Sequence, residues 1–152
     1  MSGQNEKTRT PPKSPRRRAR ELVMQGIYQW RLSGATAAQI EQRMQDEKNL
    51  GRYDTELFAR LLRGVLSHLP DLEAALAPHM DRPAHELSPV ESSILLLAAY
   101  EMLLQPETPY RVIINEAVEL AKTYGGTDGH KFVNGVLDKL AAQARPLEVK
   151  AR

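Results

Sequence analysis

The sequence predicts an all-α protein of about seven helices around one or two small cores, and three observations carry that prediction. Apolar residues recur at three- and four-residue spacing along most of the chain, the pattern of a single buried helix face. No stretch sustains the period-2 alternation of a half-buried strand. Ser or Thr followed by Pro recurs at Ser14-Pro15, Ser88-Pro89 and Thr108-Pro109. In such a pair the hydroxyl caps free amides and proline's fixed φ suits the first helical position.

Residues 1–14 are polar and proline-containing, with no apolar residue after Met1, and read as a disordered tail. Ser14-Pro15 opens the first helix, which carries Ala19, Leu22, Val23, Gly26, Ile27 and Trp30 inward and ends at Ser33-Gly34. Thr36 caps a shorter helix with Ile40 and Met44 on one face. After the Asn49-Leu50-Gly51 break, Asp54 opens a third, turning Leu57, Leu61, Leu62, Val65, Leu66 and Leu69 inward. A short fourth follows Pro70, with Leu72, Ala75, Leu76 and His79. Asp81–Leu87, containing Pro83, is a loop.

Ser88-Pro89-Val90-Glu91 is the fullest start signal in the chain: a cap, a proline, and a Glu placed to complete a capping box. The helix behind it, from Ile94 to Leu103, is apolar nearly all round and belongs at the centre of the packing. Thr108-Pro109 opens a sixth helix with Ile113, Ala117, Leu120 and Tyr124 on one face, ending at Gly125-Gly126. Asp128 caps the seventh, which buries Val133, Val136, Leu137 and Leu140 and stops before Pro146. The chain thus divides into a basic tail (1–14), one helical domain (15–146) and a C-terminal tail (147–152).

Composition narrows the chemistry. The 152 residues include no cysteine, which removes disulfides, thiolate catalysis and Cys-ligated zinc and suits a reducing cytoplasm. The longest apolar run, Ile94 to Tyr100, is far short of the roughly 18 residues of a membrane span. The basic N-terminus has no apolar segment behind it, so it does not read as a secretory signal. Gly125-Gly126-Thr127-Asp128-Gly129-His130-Lys131 faintly resembles a phosphate-binding loop. His130 separates Gly129 from the lysine, however, no Ser or Thr follows, and no strand precedes. His68, His79, His85 and His130 are scattered and suggest no metal site. Glu91 with Glu101, or Glu116 with Glu119, lacks any adjacent nucleophile. The expectation is a protein without catalysis or cofactor.

Charge is the stronger signal. Residues 1–20 hold seven Lys/Arg and one acid, a net +6, while the rest of the chain carries −4. Arg16, Arg17, Arg18 and Arg20 fill the first two turns of a helix, where the dipole's positive end disfavours cations. Arg16 and Arg20, four apart, repel by roughly 0.2–0.5 kcal/mol. Glu21 relieves Arg17 or Arg18, not the whole set. A polyanion would turn this repulsion into affinity, and arginine-rich segments that order on RNA are one such mode.

These residues carry a family resemblance. Arg16-Arg17-Arg18-Ala19-Arg20-Glu21, Gln25 and Tyr28-Gln29-Trp30 are similar to the first helix of the NusB family of antitermination factors. Pro109 to Lys122 (PYRVIINEAVELAK) and His130 to Asp138 (HKFVNGVLD) resemble its two most characteristic C-terminal helices. With Val90-Glu91 and Ala99-Tyr100-Glu101, the resemblance covers about residues 15–146, although 34–85 match mainly by helix pattern.

It implies two small packed helical bundles and a cytoplasmic factor that needs no cofactor. Its implied partner is NusE, a small-subunit ribosomal protein, with which it binds single-stranded boxA RNA in nascent, notably ribosomal, transcripts. The pair would join RNA polymerase with NusA and NusG and suppress termination. Carried over by position, Arg16, Arg17, Arg18, Arg20, Tyr28, Tyr124, Lys131 and Phe132 form the RNA surface. Glu91 lies on the NusE side and Asp128 near the RNA-facing edge. Self-association, seen in some members of the family it resembles, would give a homodimer that hides the arginine face as an off state.

Two rival readings remain open. One is a NusB-like targeting domain of a ribosomal RNA methyltransferase, although these 152 residues contain no strand–Gly-rich-loop–helix unit for S-adenosylmethionine. The other is a protein-interaction adaptor without specific RNA binding.

Overall fold

The computed structural model describes residues 13–82 and 86–151; the disordered-tail reading of residues 1–12 and the position of His85 lie outside them. The described residues form eight α-helices and no strand. In chain order they are α1 (Pro15–Ser33), α2 (Ala37–Asp46), α3 (Thr55–Ser67), α4 (Leu69–Leu76), α5 (Pro89–Leu104), α6 (Tyr110–Tyr124), α7 (Gly129–Ala144) and α8 (Pro146–Lys150). A 3-10 turn, Ala77–His79, extends α4.

The boundaries follow local chemistry. Ser14, Thr36, Asp54 and Ser88 each accept a backbone N–H with a side-chain oxygen at the head of its helix. Thr36 and Gln39 complete a capping box. Gly34 ends α1 at φ 72°, a left-handed conformation that favours glycine, and donates its N–H to Trp30 O at 2.8 Å.

Helix α5 organises the packing. It is buried along nearly its whole length and touches α1, α3, α4, α6 and α7. Helices α1–α3 make one bundle and α4–α7 the other, and both share a continuous apolar core through α5. Where α3 crosses α5, Gly64 lies so close to the Tyr100 ring that a β-carbon there would fall 2.1 Å from Cζ.

The segment read as a C-terminal tail begins with the helical turn α8, and it fastens onto the body. Arg145, at the α7–α8 junction, donates to the carbonyls of Glu101, Met102, Gln105 and Thr108 at 2.9–3.2 Å and to Glu148 Oε1 at 2.6 Å. Glu148 Oε2 accepts the Tyr110 N–H at 2.7 Å, at the head of α6. Met102 O at the end of α5 and the Tyr110 N–H at the start of α6 thus find their partners in one ion pair.

Candidate nucleic-acid interface

The four arginines in the first two turns of α1 meet different fates. Ser14 Oγ accepts the Arg17 N–H at 3.1 Å and fixes the first turn. Arg16 is exposed, with Asp54 Oδ2 at 3.8 Å. Arg17 turns to α6, donating Nε and Nη2 to Glu116 at 3.1 and 2.8 Å. The hydrogen bond and charge of Glu116 hold its guanidinium above the ordinary value. Arg18 turns the other way, donating Nη1 to Glu21 and Nε to Leu50 O, both at 2.8 Å.

Arg20 does not reach the surface expected of it. It is 4% exposed and donates Nε and Nη2 to Glu101 of α5 at 2.9 and 2.8 Å. Burial pulls its pKa down, but the hydrogen bond and charge of Glu101 outweigh that, and the net direction is up. Arg20 is therefore a core residue, and its repulsion from Arg16 is relieved because each meets an acid, Glu101 for Arg20 and Asp54 for Arg16. The acids that seemed missing beside this helix come from elsewhere in the chain.

Glu21 draws a second group together. Its side chain is 4% exposed and accepts from Lys13 Nζ, Arg18 Nη1 and Tyr124 Oη, the last at 3.3 Å. Burial disfavours its charge, yet the two cations outweigh this and its carboxyl lies below the ordinary value. Tyr124, at the end of α6, is pushed up by burial and by the Glu21 charge. The residue as a whole is 37% exposed. Tyr28 is half-buried seven residues along α1 from Glu21, on nearly the same helix face.

A second patch surrounds the start of α7. Lys131 and Asp128 are both exposed, 3.6 Å apart. Asp128 makes no side-chain capping bond, contrary to the sequence expectation; its backbone (φ −113°, ψ 15°) departs from the extended geometry of a capping residue. Phe132 is half-buried beneath the Arg82 guanidinium, which lies 4.2 Å from the ring centroid.

Glu91 also departs from its expected role. Ser88 Oγ accepts its N–H at 3.1 Å, but its carboxylate does not return to the cap. It lies instead against Gly129, where a β-carbon would be 2.2 Å from Oε2, and the residue is only 8% exposed. The positive end of the α7 dipole favours a carboxylate there, and the missing β-carbon of Gly129 makes room. Glu91 is a buried brace for this turn rather than a freely exposed acid.

The structure thus gathers Lys13, Arg18 and Tyr124 around Glu21, leaves Arg16 and Arg17 on the neighbouring faces of the same turn of α1, and places Asp128, Lys131 and Phe132 in a second patch. Residues 125–128 join the two. Arg31 Nη2 donates to Ser92 Oγ at 2.6 Å, laying the first turn of α5 beside the second half of α1. Sequence reasoning missed Lys13, Glu116 and Arg82. Lys13 reads in the sequence only as tail charge, and the other two carry no local signal. Among the described residues no three potential metal ligands come together, and no helix is long and apolar enough to cross a membrane.

Comparison with known proteins bears on this surface. Residues 17–142 match the NusB family. The transcription antitermination protein NusB of Dechloromonas aromatica (strain RCB) is 58% identical over 144 residues, covering 95% of this chain and 88% of that protein. The solved structure of T. maritima NusB superposes with a TM-score of 0.77 at 31% identity, covering 91% of this chain and 99% of that one. A crystal structure of the antitermination factors NusB and NusE in complex with double-stranded RNA shares the fold. Its TM-score is 0.70 at 22% identity, with 84% of this chain and 96% of that one covered.

Proposed function

We propose, from the premise that this chain belongs to the NusB family, that it is a non-catalytic transcription antitermination factor. With NusE it binds boxA RNA in nascent transcripts, notably ribosomal ones, and joins RNA polymerase with NusA and NusG in the cytoplasm. The observation that carries this reading is the cationic ridge over the first turn of α1, where Arg16, Arg17 and Arg18 stand with Lys13, and Tyr124 joins Lys13 and Arg18 at Glu21. Arginine forks suit phosphates and an aromatic face suits a base. Tyr28, Lys131 and Phe132 extend the RNA surface along α1 and α7, with Asp128 at its edge. Glu91 serves the NusE side indirectly, by holding the turn before α7 in place.

Fluorescence anisotropy tests this directly. A labelled boxA RNA of about a dozen nucleotides, a scrambled control and a duplex form are titrated with and without NusE at two salt concentrations. Single-stranded boxA should bind most tightly, more so with NusE and less so in salt. Replacing Arg16 or Arg17 by Gln should reduce the salt slope by about 0.7 for each phosphate of the single strand that is no longer neutralised. Equal binding of boxA and scrambled RNA, untouched by NusE, would favour the adaptor reading instead. Light scattering tests the homodimer off state: a mass that RNA leaves unchanged removes it.

A further inference from the structure

Beside the cluster of Lys13, Arg18 and Tyr124 on Glu21, the connector between α2 and α3 folds back against the first turn of α1. It is pinned at two points: Arg18 Nε donates to Leu50 O at 2.8 Å and the Asp54 N–H to Pro15 O at 3.0 Å. Gly51, at φ 79°, makes the turn between them. The result is an open groove of about 520 Å³ lined by Lys13, Pro15, Arg18, Leu50, Gly51 and Arg52.

Its charge is uneven in a useful way. Lys13 and Arg18 share one acid, Glu21, whose side chain is buried behind them. Arg52 on the far wall is exposed and forms no salt bridge among the described residues. The groove therefore keeps an excess of positive charge. Pro15 and Leu50 add apolar surface between the cations. A cationic rim over an apolar floor suits a phosphodiester with its sugar or base, the arrangement by which proteins follow single strands.

The geometry points to this groove as a second RNA subsite, which takes the phosphate of a nucleotide flanking the segment held at Tyr124. Single-stranded RNA is thereby led across the arginine ridge of α1 rather than ending on it. Lys13 and Arg18 line the groove and meet Tyr124 at Glu21, so the two subsites are continuous. The inference rests on the RNA-binding reading above and goes beyond it in the length of strand engaged.

The test compares boxA RNA of about a dozen nucleotides with the same RNA extended by about four at each end. The full chain is used with NusE, as wild type, Arg52→Gln and Arg60→Gln. Arg60 is equally exposed but lines a separate groove with Glu56, Arg63 and Tyr100, so its variant controls for net charge. Extension should tighten wild-type binding by about three- to tenfold and steepen the salt slope by about 0.7 for each further phosphate neutralised. Arg52→Gln should lose that gain while binding the short RNA normally and melting at the wild-type temperature; Arg60→Gln should keep it. An extension gain that survives in Arg52→Gln, falls equally in Arg60→Gln, or is absent from the wild type overturns the subsite. Wild-type protein that binds neither RNA overturns the RNA reading itself.

Discussion

Two arginines four residues apart show how far position outweighs identity. Arg16 stands in solvent, whereas Arg20 is sealed against Glu101 by two hydrogen bonds. Removing one partner of such a pair strands a buried charge and costs about 3–5 kcal/mol. Arg20→Ala should show that loss in urea denaturation, with RNA affinity per folded molecule unchanged. A stable variant that has lost RNA binding would return Arg20 to the interface. Arg17 predicts the opposite sign. Glu116 competes with phosphate for its fork, so Glu116→Gln should bind RNA a few-fold more tightly at low salt, measured by anisotropy. The sequence shows four arginines and cannot distinguish them, because the acids that sort them lie 81 and 99 residues away.

At the scale of elements, helix starts were legible because their signals are local. Ser14, Thr36, Asp54 and Ser88 cap the helices expected of them. Asp128 and Glu91 carry the right chemistry at the right spacing, yet tertiary geometry decides their side chains. Arg145 was invisible for the same reason: its carbonyl partners end a different helix. Glu148 makes that junction pH-sensitive. The Tyr110 N–H and Arg145 lower its pKa below the ordinary 4.5. A lowered carboxylate adds stability above the unfolded value and loses it as pH falls through the folded one. Glu148→Gln should therefore flatten the decline in urea stability on the acid side of about pH 4.5; an unchanged profile would show that the ion pair contributes nothing. The α3–α5 crossing is less forgiving. Gly64→Ala sets a β-carbon into the Tyr100 ring, and such overpacking should cost about 1–3 kcal/mol in thermal or chemical denaturation.

For the whole molecule, an overall charge of +2 conceals a cationic surface with its own acids beneath it. Composition along the chain marks the end of the molecule where the cations of α1 lie, and its uneven charge points to a polyanion. What composition could not give is its depth. Glu21 and Glu116 hold the cations in fixed directions, so the face is an ordered array rather than a cloud of charge. Helix α1 is also keyed to the body by its buried face, Ala19, Leu22, Val23 and Ile27, beside Arg20 on Glu101, which sets its rotation about its own axis. One residue inserted between Arg18 and Arg20 would turn everything before it by about 100°. The arginine aimed at α6 would then face another neighbour, and the one beside the connector would leave its groove. The run of arginines therefore has a phase as well as a composition, and a shift of a single residue would scramble it without changing one charge.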